Sequence, residues 1–567
     1  MTDSHLIEPY GGKLASLMVS ADQAEVLKRE SMKLPSLDLD WRQLCDLEML
    51  LNGAYSPLLG YMGQADYDRV LEKLELADGT SWPSPITLTI PAKQAEKLKA
   101  GARVALRDGE GFMLAVLTIS DLWQSDPERE HALLEKSADS TGVELRTGLW
   151  HVGGKLEGVA LPQHHDFAES RLTPAELRAQ LVKRGWRRNV AYLARQPMHR
   201  PHFEFCLKTA IEHEANLLVL PYGGGDLTGN AAYFSLVRSI QAIMPRLPAA
   251  TTQMAVLPAT THGSSVRDRL LRAIVARNYG CTHLIVGGEH ESDGEFRRGQ
   301  DATLDLGGLN LVSDAYQKLK VTLIPFPRMV YVEERAEHMD ESGVPEGGRF
   351  QVMAGSELLR RLKNGLNIPD WCSFPEVIAE LQRANPPKEK QGFTVFFTGL
   401  SGAGKSTIAR ALGIRLMEMG NRPVTLLDGD VVRRHLSSEL GFSHEHRDIN
   451  VRRIGFVASE ITKNRGVAIC APIAPYRQTR RDVRAMIEAV GGFIEVHVAT
   501  PIETCESRDR KGLYAKARAG LIPEFTGVSD PYEVPEHAEV TVDTTHLEVD
   551  EAIQRILLKL EHEGYLR

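Results

Sequence analysis

The chain has 567 residues, of which 25% are charged and 43% hydrophobic, and 67 basic against 75 acidic side chains give a formal charge of −8. This composition is typical of a soluble globular protein, and it excludes a disordered, collagen-like or disulfide-scaffold protein. At roughly 100–200 residues per domain, the length predicts three or four domains. The mild net acidity argues against general binding of nucleic acid, although it leaves room for a local basic site.

Targeting signals and cysteine usage indicate the compartment. No apolar run approaches the ~20 residues needed to cross a bilayer, so no membrane association is predicted. The first residues lack a basic stretch followed by an apolar one, so we expect no signal peptide. The six cysteines are far apart in the sequence: Cys45, Cys206, Cys281, Cys372, Cys470 and Cys505. They are expected to be reduced, buried thiols of a cytoplasmic protein.

Within the first two thirds of the chain, the pattern of predicted strands and helices changes near residue 170. Before it, short strand signals between turns predict a mostly β domain with some helices. These signals lie at 85–90, 102–106 and 111–117. A helix should begin after Thr173, because Pro174 and Glu176 follow it at capping-box spacing. From about 170 to 385, short apolar runs alternate with helical patterns, which predicts a parallel α/β sheet.

The clearest boundary between domains is the segment 384–392, Ala-Asn-Pro-Pro-Lys-Glu-Lys-Gln-Gly. Its two prolines cannot continue the helix expected over 375–383, so it is predicted to be a linker. The last ~180 residues again alternate strands and helices, which predicts a doubly wound parallel sheet. The predicted domains are 1–168, 169–322, 323–385 and 393–567, with a linker at 386–392.

The strongest motif is G-x-x-x-x-G-K-[ST], between a strand expected over 393–398 and a helix expected over about 405–419. A P-loop requires that context. Its glycines let backbone N–H groups surround a β-phosphate, and Lys405 is expected to reach the β- and γ-phosphates while Ser406 ligates Mg²⁺. The alternative is a glycine-rich turn without a ligand. The predicted ATP-binding residues are Gly399, Leu400, Ser401, Gly402, Ala403, Gly404, Lys405, Ser406 and Thr407.

Two carboxylates follow the next strand, in Asp428-Gly-Asp430. Ligands gather at the carboxyl ends of strands in such sheets. The pair can hold Mg²⁺ or accept a proton from an attacking hydroxyl. The tripeptide would equally serve as a turn with a helix N-cap, and both interpretations can hold together.

Arginines cluster after the P-loop of this otherwise acidic chain, which indicates an anionic second substrate. For about half of them a solvated helix face is the alternative. They are Arg433, Arg434, Arg447, Arg452, Arg453, Arg477, Arg480, Arg481, Arg508 and Arg510. The segment 509–527 mixes basic, glycine and aromatic residues, which favours a lid over phosphates. These patterns predict a small-molecule phosphotransferase with an anionic acceptor.

Specific motifs recur throughout this part of the chain: GLSGAGKST at 399–407, LDGD at 427–430, LGF at 440–442, RDIN-x-RR at 447–453, PYR at 475–477, KGLY at 511–514 and FTGVSDPY at 525–532. Through them, residues 389–567 resemble adenylylsulfate (APS) kinases, which use MgATP to phosphorylate the 3′-hydroxyl of APS and so form 3′-phosphoadenylylsulfate (PAPS). The resemblance implies that Asp430 is the base and that Asp428 lies near Mg²⁺, beside the catalytic Lys405. It implies that APS is bound by Arg433, Arg447 and Asn450 at its anion, Phe442 and Phe525 around its adenine, and Lys511 on the lid. Some relatives have a serine where this chain has Ala474, so direct in-line transfer is expected.

A second set of motifs lies before the linker, at 9–12, 34–36, 42–48, 56–62, 82–87, 184–186, 278–283, 369–371 and 375–377. Through them, residues 1 to about 380 resemble ATP sulfurylases, which adenylylate sulfate with MgATP and release pyrophosphate. The resemblance implies a β-rich PUA-like domain, a Rossmann-like nucleotidyltransferase domain and a small following segment. Kinase fusions are known in that family, so each assignment supports the other.

The chemistry of the sulfurylase-like half is expected in the segment 193–202, Leu-Ala-Arg-Gln-Pro-Met-His-Arg-Pro-His. Two histidines one helical turn apart can stabilise charge on ATP phosphates, and helix-cap histidines are the alternative. We predict no zinc site, since His-Glu-x-x-His and a third ligand are lacking, and no redox cofactor. The site residues implied by the resemblance are Arg195, His199, His202, Arg267 and His290. Arg267 and Asp268 keep the charge pattern of the family's Arg-Glu pair.

This half also departs from the family pattern Gln-x-Arg-Asn-Pro-x-His-x-x-His. Leu193 and Gln196 replace the Gln and the Asn, and leucine cannot donate the hydrogen bonds that a buried anion needs. The family's Gly-Arg-Asp-His-Ala-Gly loop corresponds to 287–292, where Gly288 removes a cation and Glu291 adds a carboxylate. We therefore expect weak or absent adenylylation of sulfate.

The prediction is an APS kinase fused to an ATP-sulfurylase-like region, with Mg²⁺ accompanying ATP. The expected partners are ATP and APS, with sulfate and pyrophosphate at the sulfurylase-like site, and we expect a homo-oligomer. Three alternatives remain open. They are a fully active bifunctional enzyme, an N-terminal region that serves only as a structural or oligomerisation module, and a P-loop kinase for another nucleotide.

Overall fold

The computed structural model describes residues 6–134, 148–222, 231–258, 266–287, 317–420, 422–509 and 512–566. The chain divides into two units, Met1–Leu359 with Ile368–Ala384, and Arg360–Asn367 with Asn385–Arg567. Among the described residues, no helix combines the length and apolar character that crossing a bilayer requires. All six cysteines are buried free thiols, as predicted.

The N-terminal part of the first unit is a sheet with surrounding helices. Its strands are β1 (Ser36–Asp38), β2 (Gly60–Tyr61), β3 (Leu88–Pro91), β4 (Arg103–Arg107), β5 (Met113–Gln124) and β6 (Leu149–Gly158), and its helices are α1 (Ala21–Ser31), α2 (Trp41–Leu51), α3 (Gln64–Lys73), α4 (Ala92–Ala95) and α5 (Pro127–Leu134). The six-stranded sheet has the order β1-β4-β5-β6-β2, with β3 also paired to β6. β1 and β4 run parallel and the other pairs antiparallel, which confirms a β-rich domain.

The following part is a parallel α/β sheet with the order β11-β10-β7-β8-β9. Its strands are β7 (Asn189–Ala194), β8 (Asn216–Pro221), β9 (Thr252–Met254), β10 (His283–Val286) and β11 (Thr322–Pro325), and its helices are α6 (Pro174–Lys183), α7 (Arg200–Glu212), α8 (Ala231–Ile243) and α9 (Val266–Asn278). β7 is buried along its whole length, as expected for a strand covered on both faces. Thr173 and Glu176 form the predicted capping box. β11 spans the boundary that we predict at residue 322.

The parallel pattern expected up to residue 385 ends with β11. The remaining elements of the first unit are β12 (Met329–Val332), β13 (Glu337–Asp340), β14 (Phe350–Gln351) and α11 (Pro375–Ala384), and the helix α10 (Gly355–Lys363) spans the division between the two units at Leu359. Here β13, β12 and β14 form an antiparallel sheet. The reason is local, because four residues connect β12 to β13 and a parallel pair needs a much longer crossover.

One hydrophobic core runs through the first unit. Trp82 and Leu117 of the N-terminal sheet belong to the same cluster of buried side chains as Leu218 and Tyr279 of the α/β part. The two parts therefore share apolar surface that neither would bury alone, which explains why they form one unit.

Asn278 joins the same two parts through polar contacts. Its buried side-chain amide donates to the carbonyl oxygens of Ala54 and Ser56, at 2.9 and 3.1 Å, and accepts from the backbone N–H of Tyr10 at 2.8 Å. Each hydrogen-bonding group is satisfied, which a buried amide requires.

The second unit contains a five-stranded parallel sheet with the order β16-β17-β15-β18-β19. Its strands are β15 (Phe393–Thr398), β16 (Val424–Asp428), β17 (Val467–Ala471), β18 (Gly492–Val498) and β19 (Val540–Val542), and its helices are α12 (Lys405–Glu418), α13 (Gly429–His435), α14 (His444–Lys463), α15 (Arg477–Glu488), α16 (Ile502–Ser507), α17 (Leu513–Arg518) and α18 (Val549–His562). The strand at 393–398 and the helix beginning at Lys405 confirm the elements predicted around the P-loop.

Alternating side chains of β15 enter two different cores. Phe393, Val395 and Phe397 pack in one cluster with α12 and α18, whereas Phe396 packs in another with α14 and α15. This follows from the two-residue period of a strand. β15 is the central strand, with β17 on one side and β18 on the other, so the segment after it lies at the switch point where ligands bind in such sheets.

Candidate active site

The P-loop follows β15 and closes tightly on its neighbours. Gly402 and Gly404 have positive φ angles of 78° and 101°, which favour glycine. A Cβ on Gly399 would lie 2.5 Å from the carbonyl oxygen of Val498, and one on Gly402 would lie 2.9 Å from that of Cys505. These positions exclude side chains, so the loop presents its backbone.

Lys405 is folded back into this loop. Its Nζ donates to the carbonyl oxygens of Gly399 and Leu400, both at 2.8 Å, and only 7% of the residue is exposed. Burial lowers the pKa of Lys405 to about 8, against opposing electrostatic effects of Cys505 and Asp428. Asp428, which ends β16, is itself buried. The loop thus holds a cation that can exchange its carbonyl partners for phosphate oxygens.

Two threonines outside the sequence motifs contact the P-loop and support it. The Oγ1 atoms of Thr500 and Thr544 lie 3.1 and 3.0 Å from the carbonyl oxygen of Ala403 and 2.8 Å from each other. Arg508 donates to the hydroxyl and the carbonyl of Thr544, at 2.7 and 2.9 Å. Both threonines follow the carboxyl ends of strands, so the rule applied to Asp428 could have found them.

The segment predicted to be a lid is fastened to the P-loop in its described part. The Asp509 carboxylate accepts from the backbone N–H groups of Leu513 and Tyr514, at 2.8 and 2.7 Å. The hydroxyl of Tyr514 donates to the carbonyl oxygen of Ser401 at 2.9 Å, and the Tyr514 ring meets that of Phe525 edge to face at 5.0 Å. Phe525 is thereby held near the P-loop.

Arg447 lies in a buried polar cluster at the start of α14. Its guanidinium is 2.5 Å from Oδ2 of Asp530 and 3.1 Å from the Tyr476 hydroxyl, which itself donates to Asp530 at 2.8 Å. Burial, reinforced by that hydrogen bond, raises the pKa of Tyr476 to about 12. One turn along, Asn450 is 5% exposed, and its Oδ1 has no hydrogen-bond partner among the described residues. A buried acceptor of this kind is what a bound ligand would satisfy.

Arg433 lies against the predicted adenine-binding turn. It donates to the carbonyl oxygens of Leu440 and Gly441, at 3.3 and 2.9 Å. Its guanidinium carbon lies 4.5 Å from the centre of the Phe442 ring, which is 65% exposed. The contacts described for Arg433 therefore shape the turn.

Most of the other clustered arginines contact carboxylates of the protein itself. The pairs are Arg452 with Asp482 at 2.9 Å, Arg453 with Glu439 at 2.6 Å, Arg477 with Glu536 at 2.8 Å, Arg480 with Glu495 at 3.0 Å and Arg481 with Glu536 at 3.7 Å. The alternative of a solvated helix face fits four of them, whose side chains are at least partly exposed, whereas Arg480 is buried.

Three predicted site residues lie wholly or partly outside the described part of the chain. Asp430 is in the first turn of α13, the helix that begins directly after Asp428, but its side chain is not described. Lys511 and His290 are outside the described ranges.

In the sulfurylase-like half, His199 is the N-cap residue of α7, but its side chain makes no capping hydrogen bond. Its Nδ1 lies 2.9 Å from Oγ of Ser373, and the two histidine rings are 6.2 Å apart. His202 is fully buried and stacks on Phe326 at 5.0 Å. Burial, with a contribution from His202, lowers the pKa of His199 to about 3, so this imidazole is neutral at physiological pH.

Arg267 contacts backbone groups of the N-terminal part of the first unit. It donates to the carbonyl oxygens of Val70, Leu71 and Pro83, at 2.8, 2.7 and 3.2 Å. It therefore joins α9 to the N-terminal part, and burial lowers its pKa.

A small cavity lies beside the α9 helix. Asp268 and Arg272, one turn apart, form an ion pair of 2.5 Å that lines it. Tyr222 also lines the cavity, and its ring lies 5.9 Å from the guanidinium carbon of Arg195. Leu193 places its apolar side chain in the same cavity, where the family pattern has glutamine.

Comparisons with known proteins agree with this division of the chain. Residues 7–160 match the PUA-like domain family, residues 168–384 the ATP-sulfurylase family and residues 391–543 the adenylylsulphate kinase family. The sulfate adenylyltransferases of Phaeosphaeria nodorum and Emericella nidulans are 41% and 42% identical to it, over 98% of this chain and 99% of theirs. A solved structure described as the hexameric APS kinase from Thiobacillus denitrificans is 57% identical, covers 99% of this chain and 100% of its own, and superposes with a TM-score of 0.84. The chain therefore belongs to the sulfate adenylyltransferase family, in a form that joins a PUA-like domain, an ATP-sulfurylase domain and an APS kinase domain.

Proposed function

We propose that the APS kinase domain transfers the γ-phosphate of ATP to the 3′-hydroxyl of APS through the residues that the motifs single out. The observation that carries this proposal is the buried Lys405 ammonium inside the P-loop, with Asp428 buried at the end of β16. Phosphoryl transfer depends chiefly on positioning and charge stabilisation, and a fixed cation at the β- and γ-phosphates supplies both.

Ser406 and Asp428 are the proposed contacts of the Mg²⁺ that accompanies ATP. A hydroxyl and a carboxylate are hard oxygen ligands, which suits this ion. Magnesium bound with ATP neutralises negative charge on the phosphates. Asp430 takes the proton of the 3′-hydroxyl while the oxygen of that hydroxyl bonds to the γ-phosphorus. ADP leaves with the electron pair of the broken P–O bond.

The acceptor is proposed to bind at the start of α14. Arg447 is proposed to contact its phosphosulfate, and Asn450 to lie beside it. The Oδ1 of Asn450, which has no hydrogen-bond partner among the described residues, supports a donor group of the ligand there. Phe442 and Phe525 are proposed to enclose its adenine. Arg433, which already shapes the Phe442 turn, and Lys511 complete the proposed acceptor site.

Asp430→Asn should reduce APS-dependent formation of ADP by about 10²–10⁴-fold, because an amide cannot accept the hydroxyl proton. Binding of ATP should be retained, since the change leaves the P-loop intact. The measurement is coupled ADP release with and without APS, beside ATP binding by calorimetry. Asp550→Asn, an exposed carboxylate in α18, is the matched control. Turnover at the normal rate in Asp430→Asn would remove this residue as the base.

Asp530→Asn should lower the stability of the protein and raise KM for APS. The ion pair with Arg447 is about nine-tenths buried, and removing one buried charge leaves the other uncompensated, which costs about 3 kcal/mol. Asp482→Asn, whose pair with Arg452 is exposed, should cost less than about 1 kcal/mol. Denaturant unfolding and KM for APS check both variants. Equal small effects in the two would contradict a special role for Asp530.

We also propose that the ATP-sulfurylase domain adenylylates sulfate poorly or not at all. The support is Leu193, which lines the cavity beside the Asp268–Arg272 pair and can donate no hydrogen bond to an anion. The retained scaffold then favours a role for this half in assembly. A homo-oligomer is proposed because the 57% identical relative is described as hexameric, and sedimentation of the whole chain tests it.

We propose a cytoplasmic location. The support is the six free, buried cysteines, since thiols persist in reducing compartments. Fractionation of cells that express the tagged chain tests this proposal.

A further inference from the structure

Gly441, in the turn before α14, is held at both of its backbone hydrogen-bonding groups. Its N–H donates to Nδ1 of His446 at 2.9 Å. Its carbonyl oxygen accepts from Arg433 at 2.9 Å. The peptide groups that lead into Phe442 are therefore fixed by two side chains, one from α13 and one from α14.

His446 is itself fixed by the start of its helix. Its backbone N–H donates to Oγ of Ser443, the N-cap residue of α14, at 3.3 Å. The ring then reaches back over the turn, since a Cβ built on Gly441 would lie 3.3 Å from Nδ1. Because Nδ1 accepts this N–H, it carries a lone pair, and the ring proton is on Nε2.

The ring of Phe442 depends on this turn for its orientation. It is 65% exposed, so burial in the protein contributes little to holding it, and Arg433 is its described cation contact at 4.5 Å. An aromatic ring that stacks on a purine must be held in place before binding, because ordering it afterwards costs affinity.

We propose that neutral His446 is a positioning residue for APS, and that its protonation releases the Gly441–Phe442 turn and weakens APS binding as the pH falls. The inference rests on the proposed function, because it concerns the same acceptor site. Protonation at Nδ1 replaces the acceptor with a second donor, which faces the Gly441 N–H and cannot bond to it.

Some charged and titratable groups around His446 favour protonation of its ring, and others disfavour it. Arg433, which is bonded to the same glycine, and the N-terminus of α14 both carry positive charge near the ring and so disfavour its protonation. Glu439, in the loop before the turn, favours it and is paired with Arg453. The remaining such groups at the start of α14 are His444, Glu445, Arg447 and Asp448. Histidine is the side chain that changes charge between pH 5 and 8, so this range is the one to test.

The test compares His446→Asn with His446→Ala at saturating MgATP between pH 8 and pH 6. Asparagine keeps an acceptor oxygen near the position of Nδ1 but does not titrate, so its KM for APS should match the wild type at pH 8 and stay level at pH 6. Alanine removes the acceptor and should raise KM about five-fold at both pH values with little change in kcat. The wild-type KM should rise towards the alanine value as the pH falls. His562→Asn, which changes an 81% exposed histidine, should behave as the wild type.

Calorimetry gives the same comparison without turnover. Near pH 6.5, APS binding should release protons from the wild type and fewer from His446→Asn, since binding selects the neutral ring. A pH profile in His446→Asn that equals the wild-type profile would overturn the inference, as would an alanine effect confined to kcat. A wild type that binds APS with the expected pH dependence but does not phosphorylate it would refute the proposed function alone, and absence of APS binding at pH 8 would refute both.

Discussion

Lys405→Met should reduce APS-dependent ADP formation by about 10²–10³-fold, the loss typical of removing one preorganised charge from a transition state. The ammonium is buried against two carbonyl oxygens of its own loop, and ATP would replace them with phosphate oxygens. Methionine fills the same space without the charge. The unfolding midpoint should therefore stay close to that of the wild type, because relief of the buried charge offsets the two lost hydrogen bonds.

The measurements are initial rates at saturating APS and thermal unfolding with and without MgATP. ATP should raise the midpoint of the wild type more than that of Lys405→Met, since ligand stabilisation follows affinity. Lys463→Met, an exposed lysine at the end of α14, is the matched control and should leave rates and midpoints unchanged. A Lys405→Met variant with near-normal turnover would contradict the role of the P-loop cation.

Sulfate-dependent exchange of labelled pyrophosphate into ATP should be about 10²–10³-fold slower with this chain than with the Emericella nidulans relative assayed beside it. Two losses contribute, namely the hydrogen bonds that Leu193 cannot donate and the cation that Gly288 removes. The complementary assay supplies ATP and sulfate without APS, where no PAPS should form. Exchange at the relative's rate would show that neighbouring side chains compensate, and the proposal would be wrong.

Restoring the lost groups sharpens that test. Leu193→Gln combined with Gly288→Arg should raise sulfate-dependent exchange, because it returns a donor to the cavity and a cation to position 288. Leu59→Gln, a change of a 57% exposed leucine in the same unit, controls for the added amide. No gain in the double variant would mean that the loss of activity, if present, lies elsewhere in the site.

Local patterns predicted the fold and the P-loop well. The apolar run of β15 and the glycines that follow it lie within a dozen residues of each other. Because these signals are local, the sequence alone indicates the strand, the loop and the helix. The antiparallel sheet after β11 was missed because alternating apolar runs do not reveal strand direction. The four-residue connection between β12 and β13 was the available signal.

Contacts between distant residues could not be predicted. Arg447 meets Asp530 across 83 positions of sequence, and Thr544 supports Ala403 across 141. Arg267 is implied at the sulfurylase site by resemblance, because Arg267 and Asp268 keep the charge pattern of the family's Arg-Glu pair. Adjacent helix residues point in different directions, however, and Arg272, one turn further on, is the partner of Asp268.

The hydrogen bonds of Asn278 help to hold the two parts of the first unit together. Its amide joins Tyr10, Ala54 and Ser56, and these contacts do not involve the segment 193–202. Leu193 itself belongs to the buried cluster that the two parts share, so its apolar side chain adds to this core at the position where the family pattern has a glutamine. A domain built in this way can lose a reaction gradually and still be retained as a scaffold, because deleting it would expose the apolar surface that its two parts bury together.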